Sequence, residues 1–322
     1  MKKLVSVALR SILVLVVGLV GIVVVTTTLN FVLTAVEKEG YKAPGTFVEV
    51  SGKKIHLVTM GSGPANVVLL SGFGTTVPML DFLPLQRELG SKVRVTVVEY
   101  PGYGLSQDTD ESPSTAQSVE EIRQALREAQ ILPPYTLVPH SISGLQALYY
   151  ANKYPEELAG IVGLDISVPQ QSAFLHPVKE SLNAYEVLRI LGVVRILFWI
   201  APDLGGATTI GLSPQEISDY NMITNWMLGS HAIFSEGNQI VSHLQSQSSL
   251  RFPENLPVVL VLASTSAMRT GEGIPGLAWR AMHEEILGKN AQGKVVVLEG
   301  EHYIHHGNAE KIAELVWQVA LR

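Results

Sequence analysis

Four stretches of this chain are runs of Val, Ile and Leu without polar alternation: NVVLL (66–70), LAGIVGL (158–164), PVVLVLA (257–263) and KVVVL (294–298). A strand that is apolar on both of its faces has to be covered on both faces, which is the situation of a parallel sheet flanked by helices. Segments of helical pattern lie between and after these runs, at 82–89, 117–130, 275–288 and 308–321. TFVEV (46–50) and KIHLVTMG (54–61), separated by the hairpin signal Ser51-Gly52-Lys53, precede them, and VRVTVVE (93–99) and YTLVP (135–139) lie among them. The expected fold class is α/β, a mostly parallel, doubly wound sheet of about eight strands with helices on both faces.

The strand–helix rhythm stops after Ser167 and resumes near residue 253. Residues 168–252 carry helical patterns at 178–200, 213–229 and 231–246 and no convincing strand. An all-helical insertion into a parallel sheet reads as a cap over the carboxyl ends of the strands, where such sheets bind ligands. Within it, YEVLRILGVVRILFWIAP (185–202) is unusually apolar, but Arg189, Arg195, Gly192 and Pro202 argue against a span. Contact with a bilayer, an acyl pocket lining and ordinary packing on the core are all open to it.

The N-terminus is different in kind. From Ser11 to Val36 no residue is charged, 26 positions in all. As a helix this run would be about 39 Å long at ~1.5 Å per residue, longer than the ~30 Å hydrocarbon core of a bilayer. Lys2, Lys3 and Arg10 precede it, whereas Glu37, Lys38, Glu39 and Lys42 follow with no net charge. The positive-inside rule then sets the N-terminus in the cytoplasm and the remainder outside, on a cell membrane crossed once. A cleaved signal peptide is the alternative, with an apolar region well beyond the usual ~7–15 residues. The organisation expected is an anchor at 1–36, a linker at 37–45, a core at 46–167 and 253–322, and a cap at 168–252.

Composition narrows the function classes. The net charge is −6 and no Lys/Arg cluster occurs outside the extreme N-terminus, which argues against nucleic acid as a partner. There is no cysteine, so disulfides, thiolate metal sites and cysteine nucleophiles are excluded. None of the Gly-x-Gly sites extends to the dinucleotide fingerprint.

The chemistry concentrates where strands end. YTLVP runs straight into a helical pattern through Pro139-His140-Ser141-Ile142-Ser143-Gly144. A serine at such a corner is either a helix cap or a nucleophile exposed at the sheet edge, and the crowded turn wants small neighbours such as Ser143 and Gly144. Ser71-Gly72-Phe73-Gly74 ends the first apolar run. Glu99-Tyr100-Pro101-Gly102-Tyr103-Gly104-Leu105-Ser106 follows another strand, and His302 stands just past the last one.

In this order, from about Thr46 to the C-terminus, the four segments resemble the alpha/beta-hydrolase family. Its nucleophile elbow is Gly-x-Ser-x-Gly, its oxyanion loop His-Gly-x-Gly and its turn Asp-x-Pro-Gly-x-Gly-x-Ser. This chain departs with Pro139, Ser71 and Glu99. The resemblance implies Ser141 as nucleophile, His302 as general base, and the backbone amides of Phe73 and Ile142 as oxyanion donors.

The family's usual acid position, after the strand at 256–264, reads ASTSAMRTGEG and offers only Glu272. A minority branch uses the end of the preceding strand, which here is Asp165, the favoured acid, with Glu272 the alternative. A serine at the elbow suits ester, thioester or amide substrates. The implied activity is a cofactor-free hydrolase (carboxylesterase- or lipase-like) acting on a small acyl substrate. The alternatives are a catalytically inactive binding or sensing module and a perhydrolase or lyase. His302, His305 and His306 could suggest a metal, but no carboxylate motif accompanies them and none is expected. The sequence does not determine the oligomeric state or the acyl length.

Overall fold

The computed structural model describes residues 2–111, 114–176, 180, 182–267 and 276–322. Eight strands form one sheet in the order β1-β2-β4-β3-β5-β6-β7-β8. They are β1 (Thr46–Val50), β2 (Lys53–Met60), β3 (Asn66–Leu70), β4 (Arg94–Glu99), β5 (Tyr135–Pro139), β6 (Leu158–Leu164), β7 (Val258–Ala263) and β8 (Gly293–Leu298). β2 runs antiparallel to both β1 and β4, and the other pairs are parallel. The sheet is therefore mostly parallel, as the continuous apolar runs demand.

β3 shows why those runs do not alternate. Val68 and Leu70 enter a core layer with Val119, Ile122 and Leu126, whereas Val67 and Leu69 enter the opposite layer with Leu85, Ile312 and Val316. All four β3 side chains are fully buried, so each contributes roughly 1.5–3 kcal/mol of transfer free energy. The first layer is built by the helices Thr115–Glu128 and Gly144–Lys153 with Trp279 and Ile286 of Gly276–Leu287. The second is built by Leu83–Leu89 and Ala309–Ala320.

The chain begins with α1 (Lys2–Gly40), of which Leu9–Gly40 is long and apolar enough to cross a bilayer. The expected linker starts late, because the helix continues through Glu37 and Lys38 to Gly40. Glu37 ion-pairs with Arg195 and Lys38 lies over Trp226, and these contacts hold the last turn in register.

Between β6 and β7 no strand occurs among the described residues. The helices there are α2 (Ala184–Ile190), α3 (Val193–Ile200), α4 (Pro214–Met227), α5 (His231–Gly237) and α6 (Ile240–Ser246). The continuous helices expected at 178–200 and 231–246 are each broken. Gly192 is left-handed, with φ +76°, and turns the chain between α2 and α3. Asn238 and Gln239 separate α5 from α6. The insertion sits on the loops at the carboxyl ends of β3 and β4. Thr224 Oγ1 hydrogen-bonds Thr76 Oγ1 (2.8 Å), Ser230 Oγ donates to Gly102 O (2.8 Å), and the His231 amide donates to Asp108 (3.0 Å).

Candidate active site

Ser141 stands where β5 turns into the helix Gly144–Lys153, through a short 3-10 turn at Ser141–Ser143. Its φ is +54°, a left-handed conformation that a serine adopts only when its surroundings impose it. Those surroundings are visible. The Ser141 carbonyl accepts from Ser167 N (2.7 Å), and the Ser143 hydroxyl reaches Leu70 O (2.9 Å) and His140 O (2.8 Å). A Cβ on Gly144 would lie 2.6 Å from Ile166 Cβ and from Ser167 O, so this position admits no side chain. Pro139 is tolerated because β5–β6 pairing stops at Leu137↔Ile161 and resumes only at the single His140↔Leu164 bridge. Its missing N–H falls in that gap.

His302 lies in the loop after β8, with its ring partly exposed. Its Nε2 is 2.9 Å from Ser141 Oγ and its Nδ1 is 2.7 Å from Asp165 Oδ2. An ionised carboxylate only accepts, so Nδ1 carries the proton and Nε2 is left to accept from the serine hydroxyl. Asp165 is 0 % exposed at the end of β6, and its backbone is also left-handed, with φ +44°. Its Oδ1 accepts from Ala263 N (3.1 Å) and Trp279 Nε1 (3.0 Å), and its Oδ2 also accepts from Ser266 Oγ (2.6 Å). Of the two carboxylates considered from sequence, Asp165 thus reaches the imidazole; Glu272 lies outside the described residues. Ser266 belongs to the segment where the family's acid usually stands, and there its hydroxyl donates to the Asp165 carboxylate at the end of the neighbouring strand.

The loop carrying Phe73 lies against the elbow. A Cβ on Gly72 would be 2.9 Å from Ser141 Cβ and 2.8 Å from His140 Nδ1, so only glycine lets the loop come this close. Gly74 N donates to Tyr103 OH (3.3 Å), and the Phe73 ring packs on Gly237 of α5. Ile142 is buried at the start of the turn that follows the serine.

Sequence reasoning missed the support behind His302. His140 Nε2–H donates to the His302 carbonyl (3.1 Å), and burial beside the imidazoles of His305 and His302 holds its pKa well below the usual histidine value. His140 is therefore a neutral strut. Asp81 supplies the carboxylate that the His302, His305 and His306 cluster lacks in sequence, with Oδ2 2.8 Å from His305 Nε2 and Oδ1 2.8 Å from His306 Nε2. Burial acts to raise the Asp81 pKa, but the two imidazoles overcome it and hold the carboxyl well below the usual carboxylate range. These three residues are the one group among those described whose donor atoms lie close enough to share a metal ion. Both carboxylate oxygens are already committed to imidazole N–H groups, and the arrangement serves to fix the loop that presents His302. Asp81 is separated from these histidines by 224 and 225 residues, and no local signal announces it.

A cavity of about 910 Å³ opens beside His302, between the core and the insertion. Its core side includes Asp81, Tyr303 and His306, and its outer side Leu188, Leu197 and Phe198. A second cavity of about 560 Å³ shares Gly74, Thr76, Tyr185 and Leu228 with it and is walled by Phe73 and Ile233. Both are large enough for a drug-sized or acyl ligand and are mostly apolar.

A model of the alpha/beta hydrolase family matches residues 67–315. The chain belongs to that family. Among curated relatives it is 38% identical over 130 residues to the uncharacterized protein YbdG of Bacillus subtilis, a match covering 40% of each chain. Among solved structures it is similar to the Cif epoxide hydrolase of Acinetobacter nosocomialis, at 16% identity and a TM-score of 0.65, covering 91% of this chain and 96% of the other. It is also similar to a membrane phospholipase A described as a bacterial virulence factor, at 20% identity and a TM-score of 0.57, covering 100% of this chain and 98% of that one. Identities this low carry the fold alone. Within the alpha/beta hydrolase frame, the hydrogen-bonded chain from Ser141 to Asp165 stands at the carboxyl edge of the sheet, beneath the helical insertion.

Proposed function

We propose that this alpha/beta hydrolase is a membrane-anchored serine hydrolase that cleaves a carboxylic ester through an acyl-enzyme. The observation that carries the reading is the continuous relay from Ser141 Oγ to His302 (2.9 Å) to Asp165 (2.7 Å), on a serine held at φ +54°. Ser141 Oγ attacks the carbonyl carbon while His302 Nε2 takes the hydroxyl proton, then returns it to the leaving alcohol oxygen. Water deprotonated by the same nitrogen attacks the acyl-enzyme and releases the acid and free Ser141. Asp165 holds the tautomer and balances the imidazolium, and the Phe73 and Ile142 amides receive the oxyanion.

The anchor is α1, with Lys2, Lys3 and Arg10 on the cytoplasmic side and the catalytic domain outside. Residues 168–252 form the cap. A fluorophosphonate probe tests the reading. The full-length protein should label and the folded Ser141→Ala variant should not. Equal labelling of the two, or none of the wild type, overturns it.

A further inference from the structure

A polar side of α1 faces the helical insertion. Asn30 is buried, its amide donating to Arg189 O (2.9 Å) and its oxygen accepting from Arg195 Nε (2.8 Å). Thr34 accepts from Arg195 Nη2 (2.9 Å), and Glu37 pairs with the same guanidinium and accepts from Trp226 Nε1 (3.0 Å). At the turn between α2 and α3, a Cβ on Gly192 would lie 2.8 Å from the Thr26 carbonyl. α3 therefore starts beside Thr26 of α1, its Arg195 reaches Asn30, Thr34 and Glu37, and Trp199 lines a recess with Glu37.

This contact sets the height of the insertion relative to a membrane. About 20 helical residues fill a hydrocarbon core. Counted from Ser11, the start of the uncharged run, they end at Asn30. The α2–α3 turn touches α1 at Thr26, so it reaches the hydrocarbon boundary itself. From that level on, large apolar side chains of the two helices are exposed: Ile190 is 48% exposed, Trp199 60% and Ile200 78%. An exposed apolar patch of this kind beside a spanning helix marks a membrane contact, and a tryptophan sharing a recess with Glu37, the first charged residue after the apolar run, suits the interface. The inner sides of the same two helices, through Leu188, Leu197 and Phe198, line the cavity beside His302.

We infer that the outer face of α2 and α3 beds into the bilayer that α1 crosses, and that the hydrolase takes its substrate, an acyl lipid, from that bilayer into the cavity. This rests on the anchored serine hydrolase reading above. The two arginines of these helices do not face the lipid: Arg189 donates to Leu228 O (3.0 Å) and Arg195 is buried against Glu37. Selection is accordingly for the acyl chain rather than for an anionic headgroup.

The chain has no cysteine, so single labels are readily placed. Ile190→Cys and, at the far end of the sheet, Leu132→Cys would carry an environment-sensitive fluorophore on full-length protein in phosphatidylcholine vesicles containing acyl-chain nitroxide lipid. The label at 190 should be quenched several-fold more than that at 132, and equal quenching overturns the membrane contact. In parallel, the Ile190→Gln/Ile200→Gln double variant should lose about tenfold or more of its activity on bilayer phosphatidylcholine, as two apolar side chains leave the lipid. Its activity on a soluble short-chain ester should remain within about twofold, and an equal effect on both substrates overturns the lipid route. Quenching does not depend on catalysis and should persist in Ser141→Ala, so an inactive wild type would sink the hydrolase reading while leaving the membrane contact standing.

Discussion

Replacing one oxygen of Asp165 by an amide nitrogen removes an acceptor from a carboxylate that four donors surround: Ala263 N, Trp279 Nε1, Ser266 Oγ and His302 Nδ1. In Asp165→Asn the imidazole loses the charge that holds its Nδ1 proton, and turnover should fall by about 10⁴-fold with the serine in place. Turnover within a few-fold of wild type, in protein with an unchanged circular dichroism spectrum, would remove Asp165 from the mechanism. A second residue gives a pH signature. Burial raises the Glu236 carboxyl to about 7, against the lowering effect of the hydrogen bond from Tyr103. The folded protein then keeps a proton that the unfolded chain releases near the ordinary value of 4.5. The contribution to stability is full below that value and is lost as pH rises through about 7. Glu236→Gln should flatten the decline, by about 2 kcal/mol between pH 5 and 8 after discounting for partial exposure, read from denaturant midpoints. Parallel profiles for variant and wild type would contradict it.

Among elements, the turn after β4 is the most constrained. Gly104 has φ +55°, and a Cβ on it would lie 2.0 Å from the Glu99 carboxyl carbon. Glu99 is itself fully buried and accepts from His56 Nδ1 (2.8 Å), Met79 N (3.1 Å) and Leu105 N (2.7 Å). Gly104→Ala should therefore cost roughly 3 kcal/mol or more, since strain and clash add, and a melting temperature within a degree of wild type would refute it. The strands and their mostly parallel sheet were legible from residues because a two-faced apolar run has few other places to go. Ser141, His302 and Asp165 were legible because each stands at a strand end. The helix breaks at Gly192 and Asn238 were not, since a helical apolar pattern continues through both. Nor were Asp81, His140, Ser266 and Trp279, whose roles depend on partners far away in the chain. Glu99 in place of the family's aspartate looked like a departure, and the structure shows the longer side chain reaching from β4 to β2.

On the scale of the molecule, α1 is joined to the insertion by a buried polar contact. Removing one partner strands the other, so Arg195→Ala and Glu37→Ala should each destabilise by about 3 kcal/mol. Their double variant should cost far less than the sum, and additive losses in a double-mutant cycle would show that the pair is not coupled. The same contact has a consequence for the order of events during synthesis. Arg195 emerges 158 residues after Glu37, which at ~5–20 residues per second is roughly 10–30 s later. For that interval Asn30, Thr34 and Glu37 lack the partners they have in the folded chain. On the proposed reading α1 is settled in the bilayer well before its partner exists, and the insertion is the piece that docks, onto a post already standing.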